Sequence, residues 1–233
     1  MMRGPRGYLS LYKNIYKNYN YQKHSATSVS ELVNNHFKYW SDPNHINREG
    51  FEKAIAALEE KPSIIVETGT SAWGADSTRL WDTYVRKFGG QVLTCDIRLE
   101  PKMQLTGQLS KNTHCFVDDS VDFLHKIKEI RGDLYYLDSF DLDLDDPFPS
   151  AEHGLKEFKS ILDNLNSGTL LLIDDTPSNE LIKQMGELPS GSLSFLKKFG
   201  VNPGKGAFIK KYLENNLNFE LIYHHYSYLV KIL

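Results

Sequence analysis

From about residue 63 onward, short runs rich in β-branched and aromatic residues alternate with longer stretches whose apolar positions recur every three to four residues. The runs at 63–67, 91–97, 114–117, 133–138 and 169–174 predict five strands. Between the first two, Leu80, Trp81, Tyr84, Val85 and Phe88 fall at helical spacing after an N-cap at Asp76 or Ser77. Val121, Leu124 and Ile127 do the same, as do Leu155, Phe158, Ile161, Leu162 and Leu165. After Ile97 the pattern weakens, because Met103, Leu105 and Leu109 hardly define a face. Residues 207–217 read as a helix. The runs 219–225 and 228–233 leave almost no room for a crossover, so they predict an antiparallel pair.

This order predicts an α/β fold with a mostly parallel sheet, closed by a C-terminal antiparallel hairpin. A plain dinucleotide-binding fold would carry a sixth parallel strand there. Parallel strands with crossover helices place a ligand outside their carboxyl ends, so the residues just after each strand are the candidates for chemistry. Residues 1–60 read as a helical extension to a domain spanning 61–233, with helices over 29–40 and 48–60 and a stripe of Tyr8, Tyr12, Ile15, Tyr16 and Tyr19. The Gly-, Ser- and Pro-containing stretch 181–206 reads as a lid or acceptor loop working with these helices.

Composition narrows the class. With 233 residues, 40% hydrophobic and 24% charged, the chain fits one globular domain and is too apolar for disorder. No apolar stretch approaches a membrane span, and the basic start carries no apolar signal core. Cys95 and Cys115 lie inside apolar runs, which suits a reduced, cytoplasmic setting better than a disulfide framework. The formal charge of −3 hides an uneven distribution. Residues 1–30 hold five Lys/Arg and no acid, whereas residues 133–180 hold twelve Asp/Glu against Lys156 and Lys159, a local charge of −10. The basic, Tyr-rich start could meet nucleic acid or an anionic surface, but no recognition motif accompanies it. Solvated lysines on a helix are the plainer account.

The first strand runs into Glu67-Thr68-Gly69-Thr70-Ser71-Ala72-Trp73-Gly74, where a glycine permits a tight turn and close approach of backbone to ligand. Neither the dinucleotide nor the Walker glycine spacing is met, and Gly200 to Gly206, with Lys205 inside, fails the Walker test as well. Asp96 ends the second strand, where a carboxylate can accept from both ribose hydroxyls. Asp119, just after the third, could accept from an adenine amino group or cap a helix.

Glu67-x-Gly69, Asp96, Asp119, Asp138, Asp174-Asp175 and the closing hairpin together resemble the class I S-adenosylmethionine-dependent methyltransferases. The resemblance covers residues 47–233 and implies a Rossmann-like, seven-stranded sheet. It also implies that Glu67, Gly69 and Ser71 line the methionine end, that Asp96 holds the ribose, and that Asp119 with Ser120 meets the adenine. The chain departs from the family after Gly69, where Thr-Ser-Ala-Trp-Gly replaces a glycine-rich turn.

In this fold the fourth and fifth strands are neighbours, so Asp138, Asp174 and Asp175 converge. Three ionised carboxylates a few ångströms apart repel one another unless a cation sits among them, and oxygen ligands favour Mg2+, Mn2+ or Ca2+. A divalent cation would also acidify and orient an acceptor hydroxyl. The cluster resembles the metal positions of the macrocin-type sugar O-methyltransferases and, more distantly, of the catechol methyltransferases. That resemblance implies S-adenosylmethionine with Mg2+ (or Mn2+), and a small-molecule hydroxyl acceptor such as a sugar or glycan. Asp141 is the first choice as general base, with Asp143 or His153 behind it. The competing readings are a nucleic-acid methyltransferase gripping its substrate with the basic N-terminus, and a binding protein that kept the fold without catalysis. The N-terminal helices could also support a homodimer.

Overall fold

Seven strands build a single sheet: β1 (Ser63–Thr68), β2 (Gly90–Asp96), β3 (Thr113–Val117), β4 (Leu134–Leu137), β5 (Leu170–Ile173), β6 (Phe219–His224) and β7 (Tyr228–Ile232). In the computed structural model, which describes residues 28–71 and 74–233, their order is β3-β2-β1-β4-β5-β7-β6. The tyrosine stripe and basic residues of the N-terminus, and Trp73, lie outside the described residues. Strands β1 to β5 are mutually parallel, and β7 runs antiparallel between β5 and β6. The sheet is the one expected from sequence, seven-stranded and mostly parallel with an antiparallel end.

The central strands are buried on both faces, as their continuous apolar runs require. Alternation then divides them between two cores. Ile65, Val92, Leu134, Tyr136, Leu170 and Leu172 face one side, with Trp81 of α3 (Ser77–Phe88). Val66, Leu93, Tyr135, Leu137, Leu171 and Ile173 face the other, with Phe123 of α5 (Ser120–Lys126), Phe158 of α6 (Phe148–Ile161) and Ile209 of α9 (Ala207–Asn216). On the first face, α1 (Val29–Tyr39) and α2 (Arg48–Ala57) contribute Leu32, Val33, Phe37, Phe51, Ala54 and Ile55. The apolar face of α2 is thus covered by this chain's own sheet, and that of α1 by α2 and α3.

The weak pattern after Ile97 forms a seven-residue helix, α4 (Leu99–Leu105), with Leu105 as its buried residue. The expected loop at 181–206 is instead largely helical, as α7 (Asn179–Met185) and α8 (Ser190–Phe199). Its loop-like composition has a packing cause. A Cβ at Gly191 would run into the Asp145 carbonyl, and Ser192 Oγ donates to Leu144 O at 2.6 Å. Small residues in the first turn let α8 dock there, while Phe195 packs with Ala151 and Ala207. Among the described residues no helix is long and apolar enough to cross a membrane.

Candidate active site

The sheet order reverses between β1 and its two neighbours β2 and β4, and the site lies at the carboxyl ends around that point. Gly69 makes the turn after β1 with φ +86°, and a Cβ there would collide with the Asp138 carbonyl. Its N–H donates to Cys95 O at 2.8 Å, so the turn lies against β2 and β4 together. No residue but glycine fits both constraints.

Glu67 does not open onto the ligand side. It is fully buried and accepts from Ser77 Oγ (2.6 Å), Thr94 Oγ1 (2.6 Å), Trp81 Nε1 (3.1 Å) and Thr78 Oγ1. Burial pushes its pKa up to about 7, against the pull of these four donors. It communicates with the site indirectly. Thr94 donates its hydroxyl proton to Glu67, so Thr70, 2.8 Å from Thr94, is the donor of the next bond, and Thr70 lines the cavity. Ser71 belongs to the same turn with φ +56°, where its N–H donates to Thr78 Oγ1 at 2.7 Å and its hydroxyl to Asp76.

Asp96 lines the cavity at the end of β2, and Arg98 engages it three times, from its backbone N–H to Oδ1 (2.8 Å), from Nε to Oδ1 (3.0 Å) and from the guanidinium end to Oδ2 (3.1 Å). The Arg98 side chain is 65% exposed and can leave for solvent, whereas the Asp96 carboxylate is largely buried and would then need donors from a ligand. Asp119 serves as the N-cap of α5, accepting from the N–H groups of Val121 (2.9 Å) and Asp122 (3.2 Å). Ser120 Oγ lies 2.9 Å from His153 Nε2 and donates to Ser139 Oγ at 3.1 Å. Ser139 in turn donates to the buried Glu157 at 2.7 Å, and His153 Nε2 lies 3.0 Å from Ser139 Oγ. His153 is thus held inside a polar network. Asp141 is exposed and lines the cavity, while Asp143 is exposed on the loop beyond and accepts from Asp145 N at 2.8 Å.

Asp138, Asp174 and Asp175 do converge, but with a lysine among them. Lys205 is 3% exposed; its Nζ contacts Asp138 Oδ1 and lies 3.1 Å from Asp175 Oδ2. Tyr136 Oη is 2.9 Å from both Asp138 Oδ2 and Asp174 Oδ2. Asn47 Nδ2 donates to Asp174 Oδ2 at 2.9 Å, the Asp175 N–H to Asp174 Oδ1 at 2.9 Å, and Tyr226 to Asp175 Oδ1. All six carboxylate oxygens therefore have a protein partner. One Tyr136 proton can serve only one of its two acids, so the pair is balanced when the other acid is protonated and donates back. Burial raises both Asp138 and Asp174 in that direction. Burial opposes the Lys205 charge, yet the three carboxylates together hold its pKa above the ordinary lysine value.

These residues do not fit a divalent metal as they stand. The ammonium takes the central position, and among the described residues no group of three or more His, Cys, Asp or Glu side chains is arranged to hold an ion. Sequence reasoning saw the three acids and missed the lysine, because Lys205 sits 30 residues beyond Asp175 in a segment that matched no motif. Asn47, Tyr136 and Tyr226 carried no signal either.

The site opens into a cavity of about 400 Å³ whose walls include Gly69, Thr70 and Asp96 at one end and Asp138, Asp141 and Asp174 at the other. With this sheet order, terminal antiparallel pair and cavity position, the chain has the class I S-adenosylmethionine-dependent methyltransferase fold. A candidate caffeoyl-CoA O-methyltransferase from Staphylococcus aureus is similar at a TM-score of 0.58 and 12% identity, over 94% of this chain and 98% of that one. The MycE methyltransferase of mycinamycin biosynthesis, solved with Mg and S-adenosylhomocysteine, is similar at 0.54 and 17% identity over 88% of this chain. Only 54% of the MycE chain is matched, so this chain spans about half of that protein's length. At these identities the likeness is one of fold. No protein-family model matches the chain, and no curated protein matches it by sequence.

Proposed function

We propose that this protein is an S-adenosylmethionine-dependent O-methyltransferase acting on a hydroxyl of a small molecule. The observation that carries the reading is the single cavity joining the Gly69 turn and Asp96 to the acids at the ends of β4 and β5. Its volume lies within the usual range for small-molecule sites, roughly 300–1,000 Å³. The cofactor's ribose hydroxyls would donate to Asp96 once Arg98 swings into solvent, with the methionine end against Gly69 and Thr70. The acceptor would lie at the far end, between Asp141 and the wall formed by His45 and Asn47.

Transfer is an in-line displacement: the acceptor oxygen forms a bond to the methyl carbon as the bond from that carbon to sulfur breaks. The hydroxyl proton passes to a base, leaving S-adenosylhomocysteine and a methyl ether. Asp141 is the base in this reading, because it is the exposed carboxylate on the cavity wall. Asp138 is committed to Lys205 and Tyr136, and His153 to Ser120 and Ser139. Metal assistance is left out of the mechanism, since every oxygen that would bind Mg2+ or Mn2+ already meets a protein group.

A sugar is the first acceptor to test, because the sequence resembles sugar methyltransferases and MycE has been solved with mycinamycin VI. A cytoplasmic location suits Cys95 and Cys115 held as free thiols. The decisive experiment is calorimetry with S-adenosylhomocysteine. Saturable binding at one per chain is expected, and no binding at millimolar ligand would overturn the proposal. Labelled-methyl transfer to a panel of sugars, phenols and RNA then identifies the acceptor.

A further inference from the structure

The lysine among the three acids is held by its backbone as well as by its charge. The Lys205 N–H donates to Asp175 O at 3.0 Å, and the next N–H, from Gly206, donates to Thr176 Oγ1 at 3.0 Å. A Cβ on Gly204 would collide with the Asp175 carbonyl, and one on Gly206 with the Thr176 side chain. From the opposite side, a Cβ on Gly154 would collide with the Lys205 carbonyl. Three glycines from two segments thus make room for one lysine. Its Nζ then lies between an acid at the end of β4 and one just beyond β5, both largely buried.

We propose that the Lys205 ammonium is the resident cation of this site, standing where Asp138, Asp174 and Asp175 would otherwise hold a divalent metal. Two cations cannot share that space without strong repulsion, so metal entry would require Lys205 to leave. Leaving would strip Asp138 of its counter-charge in a buried setting, at a cost far above that of a surface ion pair. Lys205 acts as a positioning residue. It fixes the carboxylates that wall the acceptor end of the cavity and neutralises part of their charge. The consequence, methyl transfer without metal, rests on the methyltransferase reading above; the identity of the cation does not.

The test is titration with Mn2+, followed by the electron paramagnetic resonance signal of the free ion, on wild type, Lys205→Arg, Lys205→Ala and the double variant Lys205→Ala/Asp174→Asn. Wild type and Lys205→Arg are expected to show no saturable binding at millimolar Mn2+. Lys205→Ala, with Asp138 Oδ1 and Asp175 Oδ2 freed beside Asp174, is expected to bind one Mn2+ per chain with affinity at least about tenfold higher, and the double variant to lose it. One Mn2+ per wild-type chain would overturn the proposal, as would a folded Lys205→Ala that binds none. If Lys205→Ala does not fold, Lys205→Ser takes its place, and the wild-type titration still decides. Failure of S-adenosylhomocysteine to bind would remove the methyltransferase reading and leave every Mn2+ result standing.

Discussion

Lys205 grips Asp175 twice: its backbone N–H donates to the Asp175 carbonyl at 3.0 Å, and its ammonium lies 3.1 Å from the Asp175 carboxylate. Main chain and side chain of one residue thus fix both ends of another. Asp175 itself has φ +42°, an uncommon conformation for a residue other than glycine, asparagine or aspartate at a turn. The geometry depends on close backbone approach, so it is sensitive to single methyl groups.

Gly204→Ala is expected to lose about 1–3 kcal/mol of stability. The added Cβ meets the Asp175 carbonyl, and φ at this position is +150°. Gly168→Ala, where a Cβ meets nothing within 4 Å, is the comparison for strain without a clash, at φ +96°. Urea unfolding of the two variants separates the terms: equal losses would show that the contact with Asp175 is not what Gly204 protects.

Two buried groups should oppose each other in pH dependence. Burial lowers His36 to about 4 from 6.5, with its Nε2–H donating to Ala75 O at 2.7 Å. Between those values the unfolded chain binds the extra proton, so stability rises with pH. Burial raises Glu67 to about 7 from 4.5, so over that interval the folded chain binds the extra proton and stability falls with pH. Each effect amounts to roughly 3 kcal/mol and the windows overlap from 4.5 to 6.5. Their two contributions are expected nearly to cancel there, on top of the fall with pH that the raised Asp138 and Asp174 add. Relative to wild type, Glu67→Gln should shift the slope of stability with pH upward, and His36→Gln downward. Chemical denaturation across this range checks both signs.

Asp96→Asn should weaken S-adenosylhomocysteine binding by about tenfold to a hundredfold, through loss of charged hydrogen bonds to the ribose. Arg98→Ala should tighten it slightly, because the exposed guanidinium competes for the same oxygens. Calorimetry on both variants is the check, and a large loss in Arg98→Ala would mean that the arginine itself holds the cofactor.

Asp141→Asn should reduce kcat by about a hundredfold to ten-thousandfold while leaving S-adenosylhomocysteine affinity unchanged. His153→Gln, whose target lies within the Ser120–Ser139 network, should cost stability more than rate. Single-turnover methyl transfer and urea unfolding of both variants distinguish the two.

The order of apolar runs along the chain was enough to determine the strands, the parallel core and the antiparallel end, while the placing of β4 beside β5 came with the resemblance to a known fold. Strand burial on two faces leaves a local, periodic imprint that needs no distant partner. The three acids and the Gly69 turn were legible for the same reason, since strand ends in this fold are also site positions. Helix α8 was hidden because the Gly and Ser that admit it to the Asp145 carbonyl read as loop residues until the partner surface is known. The roles of Glu67 and Lys205 depended wholly on the tertiary structure. Glu67 is turned inward by four donors from α3 and β2, and Lys205 arrives from 30 residues beyond the acids it neutralises. A charge's environment is set by whatever else folds against it. Sequence could therefore show where carboxylates gather, and only packing could show that the cation among them is a lysine.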